Sequence, residues 1–157
     1  MIHRHPAEPC VFVVFGGTGD LARRKILPAL FKLYQDKDAP DCVVVGVTRS
    51  AEIDDAHFRS TAVDAVTDAG LPADAARSWA DKTIYYQPIN SGTPQDFKAL
   101  AARIAEVEEQ HGIAGNRVFY IALPPQAFAD TIAGLAAAGL SSSRGWTRLV
   151  VEKPFGR

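Results

Sequence analysis

The chain has 157 residues, 47% of them hydrophobic and 22% charged, a composition that excludes disorder, collagen-like repeats and coiled coil. Its 17 Lys and Arg against 18 Asp and Glu leave a net charge of −1, so no overall field draws in nucleic acid, though local basic clusters can bind a small phosphate. No apolar run approaches the roughly 20 residues that a bilayer span needs, so no membrane is expected. Residues 1–9 (MIHRHPAEP) carry no apolar signal core and read as a flexible tail, which leaves 10–157 as one domain in a cytoplasmic setting. Cys10 and Cys42 make no C-x-x-C spacing and read as small buried hydrophobes.

Five short runs rich in β-branched and aromatic residues recur: Cys10–Phe15, Cys42–Val47, Ile84–Ile89, Arg117–Ala122 and Thr147–Glu152. Most are continuously apolar rather than alternating, as parallel strands covered on both faces should be. Between the first two, Leu21 to Tyr34 is predicted helical with Leu21, Ile26, Leu30 and Leu33 on its buried face. The stretch 51–83 predicts two short helices bent at Gly70-Leu71-Pro72. Asp96 to Gln110 repeats the pattern more cleanly with Phe97, Leu100, Ile104 and Val107. Gln126 to Leu140 is alanine-rich, with Gly139 as its stop signal. The alternation of strand and helix predicts a doubly wound α/β fold of Rossmann type, strand order 3-2-1-4-5.

The first strand runs into Gly16-Gly17-Thr18-Gly19-Asp20-Leu21-Ala22, in which Gly17-x-Gly19-x-x-Ala22 fits G-x-G-x-x-G/A between a strand and a helix. Glycines there let the backbone approach a pyrophosphate, and the amides and dipole of the following helix favour its charge. A side chain at Gly19 is expected to obstruct that approach and to resist a positive φ. Arg23-Arg24-Lys25 puts cations where a helix start normally has acids, which reads either as a solvated basic face, Arg24 above all, or as reach toward an anionic ligand. Asp20 complements the helix dipole.

At the end of the second strand, where an NAD site usually offers Asp or Glu to the ribose, stands Thr48-Arg49-Ser50, with no acid before Glu52. The Arg49 guanidinium can fork onto a 2′-phosphate and the Thr48 and Ser50 hydroxyls can add donors, so NADP is the expected cofactor. Gly16–Gly19, Arg49, Asn90-Ser91, Leu123-Pro124-Pro125 and Lys153 each follow a predicted strand, and so fall on the one edge where open parallel sheets bind ligands. Asn90 and Ser91 read equally as adenine contacts or as an ordinary polar loop.

Three blocks of this sequence, Phe15 to Pro28, Asn116 to Pro125 and Gly145 to Gly156, resemble the glucose-6-phosphate dehydrogenase family in family order. The resemblance spans the chain but only the coenzyme domain of that family. It implies oxidation of glucose 6-phosphate to 6-phosphogluconolactone with hydride transfer to NADP. It also implies that Gly16, Gly17, Thr18, Gly19, Asp20 and Leu21 form the pyrophosphate turn, that Arg49 holds the 2′-phosphate and that Leu123, Pro124 and Pro125 line the nicotinamide side. Lys153 would lie between coenzyme and sugar phosphate, Lys25 would lend charge to the substrate, and the Lys153-Pro154 bond would be cis. Phe128 stands where some members carry Tyr, so no hydroxyl is expected there.

The family's catalytic His block, Arg-Ile-Asp-His-Tyr-Leu-Gly-Lys-Glu, is absent, and His3, His5, His57 and His111 have no companions that suggest acid–base work. The expectation is therefore a coenzyme half that is inactive alone, in a family that assembles into homo-oligomers largely through its other domain. A stand-alone NADP-binding regulatory or interaction module is the alternative.

Overall fold

The computed structural model describes residues 8–36 and 41–152. β1 (Cys10–Phe15) lies at the centre of a five-stranded sheet, between β2 (Cys42–Thr48) and β4 (Arg117–Ile121). β3 (Ile84–Pro88) and β5 (Thr147–Val151) form the edges, giving the order β3-β2-β1-β4-β5 with every neighbouring pair parallel. Val11, Val13 and Phe15 face one side of the sheet and Val14 the other, and all four are at most 1% exposed. Each buried aliphatic side chain of this kind contributes about 1.5–3 kcal/mol, which is why an unbroken Val run suits the central strands.

The first face packs against α4 (Pro94–His111) and α5 (Phe128–Ala137), the second against α1 (Leu27–Gln35), α2 (Asp55–Asp68) and α3 (Ala73–Thr83). The helix ends follow local chemistry. Asp54 caps α2 by accepting from the His57 amide, and Thr93 and Asp96 form a capping box on α4 behind Pro94. Gly139, at φ +77°, ends α5 as the sequence suggests, with the Leu140 amide returning to the Leu135 carbonyl. The two helices within 51–83 and the apolar face of α4 match their sequence patterns.

Two expectations fail. Leu33 is 44% exposed, because the buried stripe of α1 centres on Leu27, Leu30 and Phe31 and leaves Leu33 at its margin. β5 is apolar but not covered: Leu149, Val150 and Val151 are 47%, 37% and 36% exposed, since α4 and α5 both pack nearer the sheet centre.

The opposite edge is closed by side chains. On β3 the Tyr86 amide donates to Asp55 Oδ1 (2.8 Å) and the Ile84 carbonyl accepts from Arg59 Nε (2.7 Å), so α2 supplies the partners that a sixth strand would have offered. Arg103 of α4 holds the other Asp55 oxygen at 2.7 Å, and the Arg59 and Arg103 guanidinium groups both lie 5.3 Å from the Tyr85 ring centre.

Gly46 of β2 admits the fully buried Phe58 ring of α2; a Cβ there would stand 2.3 Å from the ring. Gly46→Ala is expected to lower stability by about 1–3 kcal/mol in urea denaturation, with Phe58→Leu recovering part of the loss in the same background. An unchanged midpoint would contradict this packing.

Candidate functional site

Strand connections leave the sheet in opposite directions at one place, between β1 and β4. The chain after β1 turns toward α1 and the chain after β4 toward α5, on opposite faces. Such a switch point opens a crevice at the carboxyl edge. Gly16 and Leu123 flank it. The ladder continues into the crevice walls, with the Gly16 amide on the Val47 carbonyl (2.9 Å) and the Ala122 amide on the Phe15 carbonyl (2.9 Å).

The glycine turn is built by contact as much as by torsion. Gly16 has φ +84°, and a Cβ on it would lie 2.4 Å from the Ala122 carbonyl oxygen. A Cβ on Gly17 would meet the Phe58 ring at 3.1 Å and the Gly46 Cα at 3.2 Å. Gly19 closes the turn by donating to the Gly16 carbonyl at 2.9 Å, and is exposed. The positive φ expected at Gly19 belongs to Gly16 instead, because the chain reverses immediately at the strand end. Ala22 is fully buried, which holds the helix start against the sheet as the fingerprint requires. Thr18 and Leu21 are half-buried, whereas Asp20 is exposed at the helix start.

That helix begins with a π-turn, Ala22–Ile26, closed by the Leu27 amide on the Ala22 carbonyl. Pro28 explains it: the residue lacks an N–H and its ring crowds the carbonyl four residues earlier, so the backbone widens over Arg23-Arg24-Lys25. Arg24 pairs with exposed Asp20 at 3.5 Å, and Arg23 and Arg24 line a cleft with Asp68 at the end of α2. This is the solvated basic face for those two residues; Lys25 is exposed.

Arg49 follows β2 directly and its neighbours are fixed by Tyr86. The Tyr86 hydroxyl donates to the Ser50 carbonyl (2.7 Å) and accepts from the Thr48 hydroxyl, while the Ser50 amide donates to Thr48 Oγ1 (3.1 Å). Burial pushes the Tyr86 phenol above its usual pKa, so it stays a donor. The Thr48 hydroxyl is thus committed to the fold and is no spare donor for a ligand, unlike the sequence reading; Ser50 Oγ accepts from the Glu52 amide. Arg49 itself is exposed and touches the Asn90 carbonyl at 3.5 Å.

Asn90, at φ +49°, gives its side-chain amide to Asp96 (2.9 Å), whose carboxyl is held below its usual pKa by that bond and by the Thr93 amide and hydroxyl. Asn90 therefore shapes the loop. Ser91 lines a cleft of about 330 Å³ that Arg49 borders, together with Gly92, Phe97, Thr131 and Gly134. The α5 residues of this cleft escaped the sequence reading. Their one signal is a glycine inside an alanine-rich helix: a Cβ on Gly134 would stand 2.4 Å from the Phe97 ring.

On the other wall, Leu123 is half-buried beside Gly16, and Pro124 and Pro125 are exposed at the start of a 3₁₀ turn, Pro125–Ala127. Phe128 packs on the core and offers no polar group. Glu152, just past β5, accepts from the Tyr120 hydroxyl. Burial and that carboxylate push the Tyr120 phenol up to about 12. Lys153, the Lys153-Pro154 bond, His3 and His5 lie outside the described residues. Of the other histidines, His57 is exposed on the first turn of α2, and His111 bonds Tyr85 (2.7 Å) at the opposite edge of the sheet. Among the described residues no cluster of three or more metal-ligating side chains occurs, and no helix is long and apolar enough to cross a membrane.

A family profile described as "Glucose-6-phosphate dehydrogenase, NAD binding domain" matches residues 13–157. The glucose-6-phosphate 1-dehydrogenase of Aggregatibacter actinomycetemcomitans is 35% identical over 153 residues, covering 96% of this chain and 31% of that protein. Its counterpart in Bacillus subtilis is 34% identical over 154 residues, covering 93% and 29%. A solved glucose-6-phosphate dehydrogenase in complex with its substrate glucose-6-phosphate superposes with a TM-score of 0.81 at 28% identity, over 99% of this chain and 32% of that one. The Mycobacterium avium enzyme gives 0.75 at 28% identity over 93% and 30%. This chain thus spans about three tenths of the length of those relatives.

The two glycines should differ in kind. Gly16→Ala must hold a positive φ and clear a carbonyl, and is expected to cost about 2 kcal/mol or more of folding stability. Gly19→Ala meets only the Gly16 carbonyl, at 3.2 Å, and should stay within about 1 kcal/mol of the wild type. Urea denaturation of both variants checks the order, and a larger loss at Gly19 would contradict it.

Proposed function

The chain belongs to the glucose-6-phosphate dehydrogenase family, and from that premise we propose that it binds NADP across the carboxyl edge of its sheet. In this reading it serves oxidation of glucose 6-phosphate to 6-phosphogluconolactone. The observation that carries the reading is the glycine turn at the switch point, where Gly16 takes a positive φ and a Cβ on Gly16 or Gly17 would strike the Ala122 carbonyl or the Phe58 ring, so that bare backbone borders the crevice. The amides of Gly16, Gly17 and Gly19 are taken by backbone carbonyls, so a pyrophosphate lies against those of the helix start that follows, with the helix dipole behind it. Thr18, Gly19, Asp20 and Leu21 complete the turn. Leu123, Pro124 and Pro125 line the nicotinamide side, and the Ser91 cleft takes the adenine end.

Bound NADP supplies the hydride acceptor, and the chain's own residues position it. Arg49 faces the 2′-phosphate as an exposed cation on a loop made rigid by Tyr86, with no carboxylate before Glu52 to repel the extra charge. Lys25 and Lys153 bring positive charge to the anionic sugar phosphate.

Calorimetric titration with NADP and NAD tests the reading. The wild type should prefer NADP, and Arg49→Ala should weaken NADP binding by about 10-fold to 100-fold, the worth of a charge-assisted hydrogen bond, while leaving NAD unchanged. Equal affinity of the wild type for the two nucleotides would overturn the assignment of Arg49.

A further inference from the structure

The sequence treats Cys10 and Cys42 as separate packing residues, 32 positions apart, yet the fold makes them a pair. They are the first residues of β1 and β2, stand directly opposite one another in the parallel register, and bring their sulfurs to 3.4 Å. Neighbouring strands lie about 4.8 Å apart, inside the Cα separations that disulfides span. The two thiols differ in access. Cys10 is 4% exposed, whereas Cys42 is half-buried and lines a cleft of about 300 Å³ with Tyr34, Asp41, Lys82 and His111.

We propose that Cys10 and Cys42 are a reversible thiol–disulfide site in which Cys42 attacks a low-molecular-weight disulfide and Cys10 resolves the product. The site lies at the amino edge of the sheet, opposite the glycine turn, and goes beyond the coenzyme reading. In the first step the Cys42 thiolate bonds to one sulfur of the small disulfide, whose S–S bond breaks and releases one thiolate. The Cys10 sulfur then gives up its proton to that thiolate and displaces the second small thiolate from Cys42, which takes up the proton Cys42 had lost. The protein loses two electrons and two protons, and the small disulfide is reduced to two thiols.

The hydrogen-bonded pair supports this division. Either sulfur can donate to the other across 3.4 Å, so a thiolate formed on Cys42 accepts from the Cys10 S–H. Cys42 is the more accessible sulfur of the pair and so the one an incoming disulfide can reach. Lys82 offsets the Asp41 carboxylate in this cleft, and a small disulfide such as oxidised glutathione is the oxidant taken there.

The reduced 157-residue protein is incubated with oxidised glutathione and followed by intact mass and peptide mapping. The wild type is expected to lose two hydrogens and yield a linked Cys10–Cys42 peptide, reversed by dithiothreitol. Cys10→Ser should stop at one glutathione per chain on Cys42. Cys42→Ser should react at least about tenfold more slowly, since burial shields Cys10. A wild type that stays reduced, one that keeps glutathione without forming the link, or a Cys42→Ser variant modified as fast as Cys10→Ser would each overturn the proposal.

Discussion

Three absent methylene groups organise the carboxyl edge of this sheet. Gly46 and Gly17 leave the space that the Phe58 ring fills, and Gly16 lets the turn after β1 lie against the Ala122 carbonyl. The ring ties α2 to β2 and to the underside of the glycine turn at once, so the backbone of that turn rests on a fully buried aromatic. Packing at this density tolerates little change, which makes the turn a fixed feature and not a loop that must order around its ligand. The Tyr86 ring continues the same layer, 5.8 Å from Phe58, and its hydroxyl then fixes the Arg49 loop. Glycine turn and cation are therefore parts of one packed unit.

The sheet treats its two edges differently. At β3 the Asp55 carboxylate and the Arg59 guanidinium answer the outward backbone groups, and Arg103 joins α2 to α4 across the strand through Asp55. A charged clamp of this kind blocks further strand addition. Among the described residues β5 has no such guard, and its apolar side chains are exposed on the strand that leads to Glu152. Between these edges the largely buried fork of Arg117 onto Glu108, at 2.8 and 2.9 Å, anchors the start of β4 to the end of α4.

The strands, the helix count and the sheet order were legible because they rest on local patterns: apolar runs such as CVFVVF and CVVVGV, the bend at Gly70-Leu71-Pro72, and the spacing of Phe97, Leu100, Ile104 and Val107. That the residues following the strands share one edge was legible too, since the alternation of strand and helix already implied parallel strands. What stayed hidden depends on contacts between distant segments. An apolar run reads alike whether or not a helix covers it, so the exposure of β5 left no mark. Thr48 looks like a free hydroxyl until Tyr86, 38 positions away, is seen to take it. The choice between Gly16 and Gly19 for the positive φ turned on the Ala122 carbonyl, and the cysteine pair on the register of β1 with β2. The π-turn was foreshadowed by Pro28, whose place inside a helical pattern signals a distortion without giving its form.

In the proposed binding mode the coenzyme phosphates sit on the Gly16–Leu21 backbone at the switch point. Amide chemical-shift mapping of the isotope-labelled protein during titration with NADP tests it most directly. The largest shifts are expected on Gly16 to Leu21, Arg49, Ser91 and Leu123, with the amino edge around Cys42 and Ile113 unmoved. Shifts centred on that amino edge, or on the Arg23 and Asp68 cleft with the glycine turn silent, would contradict it.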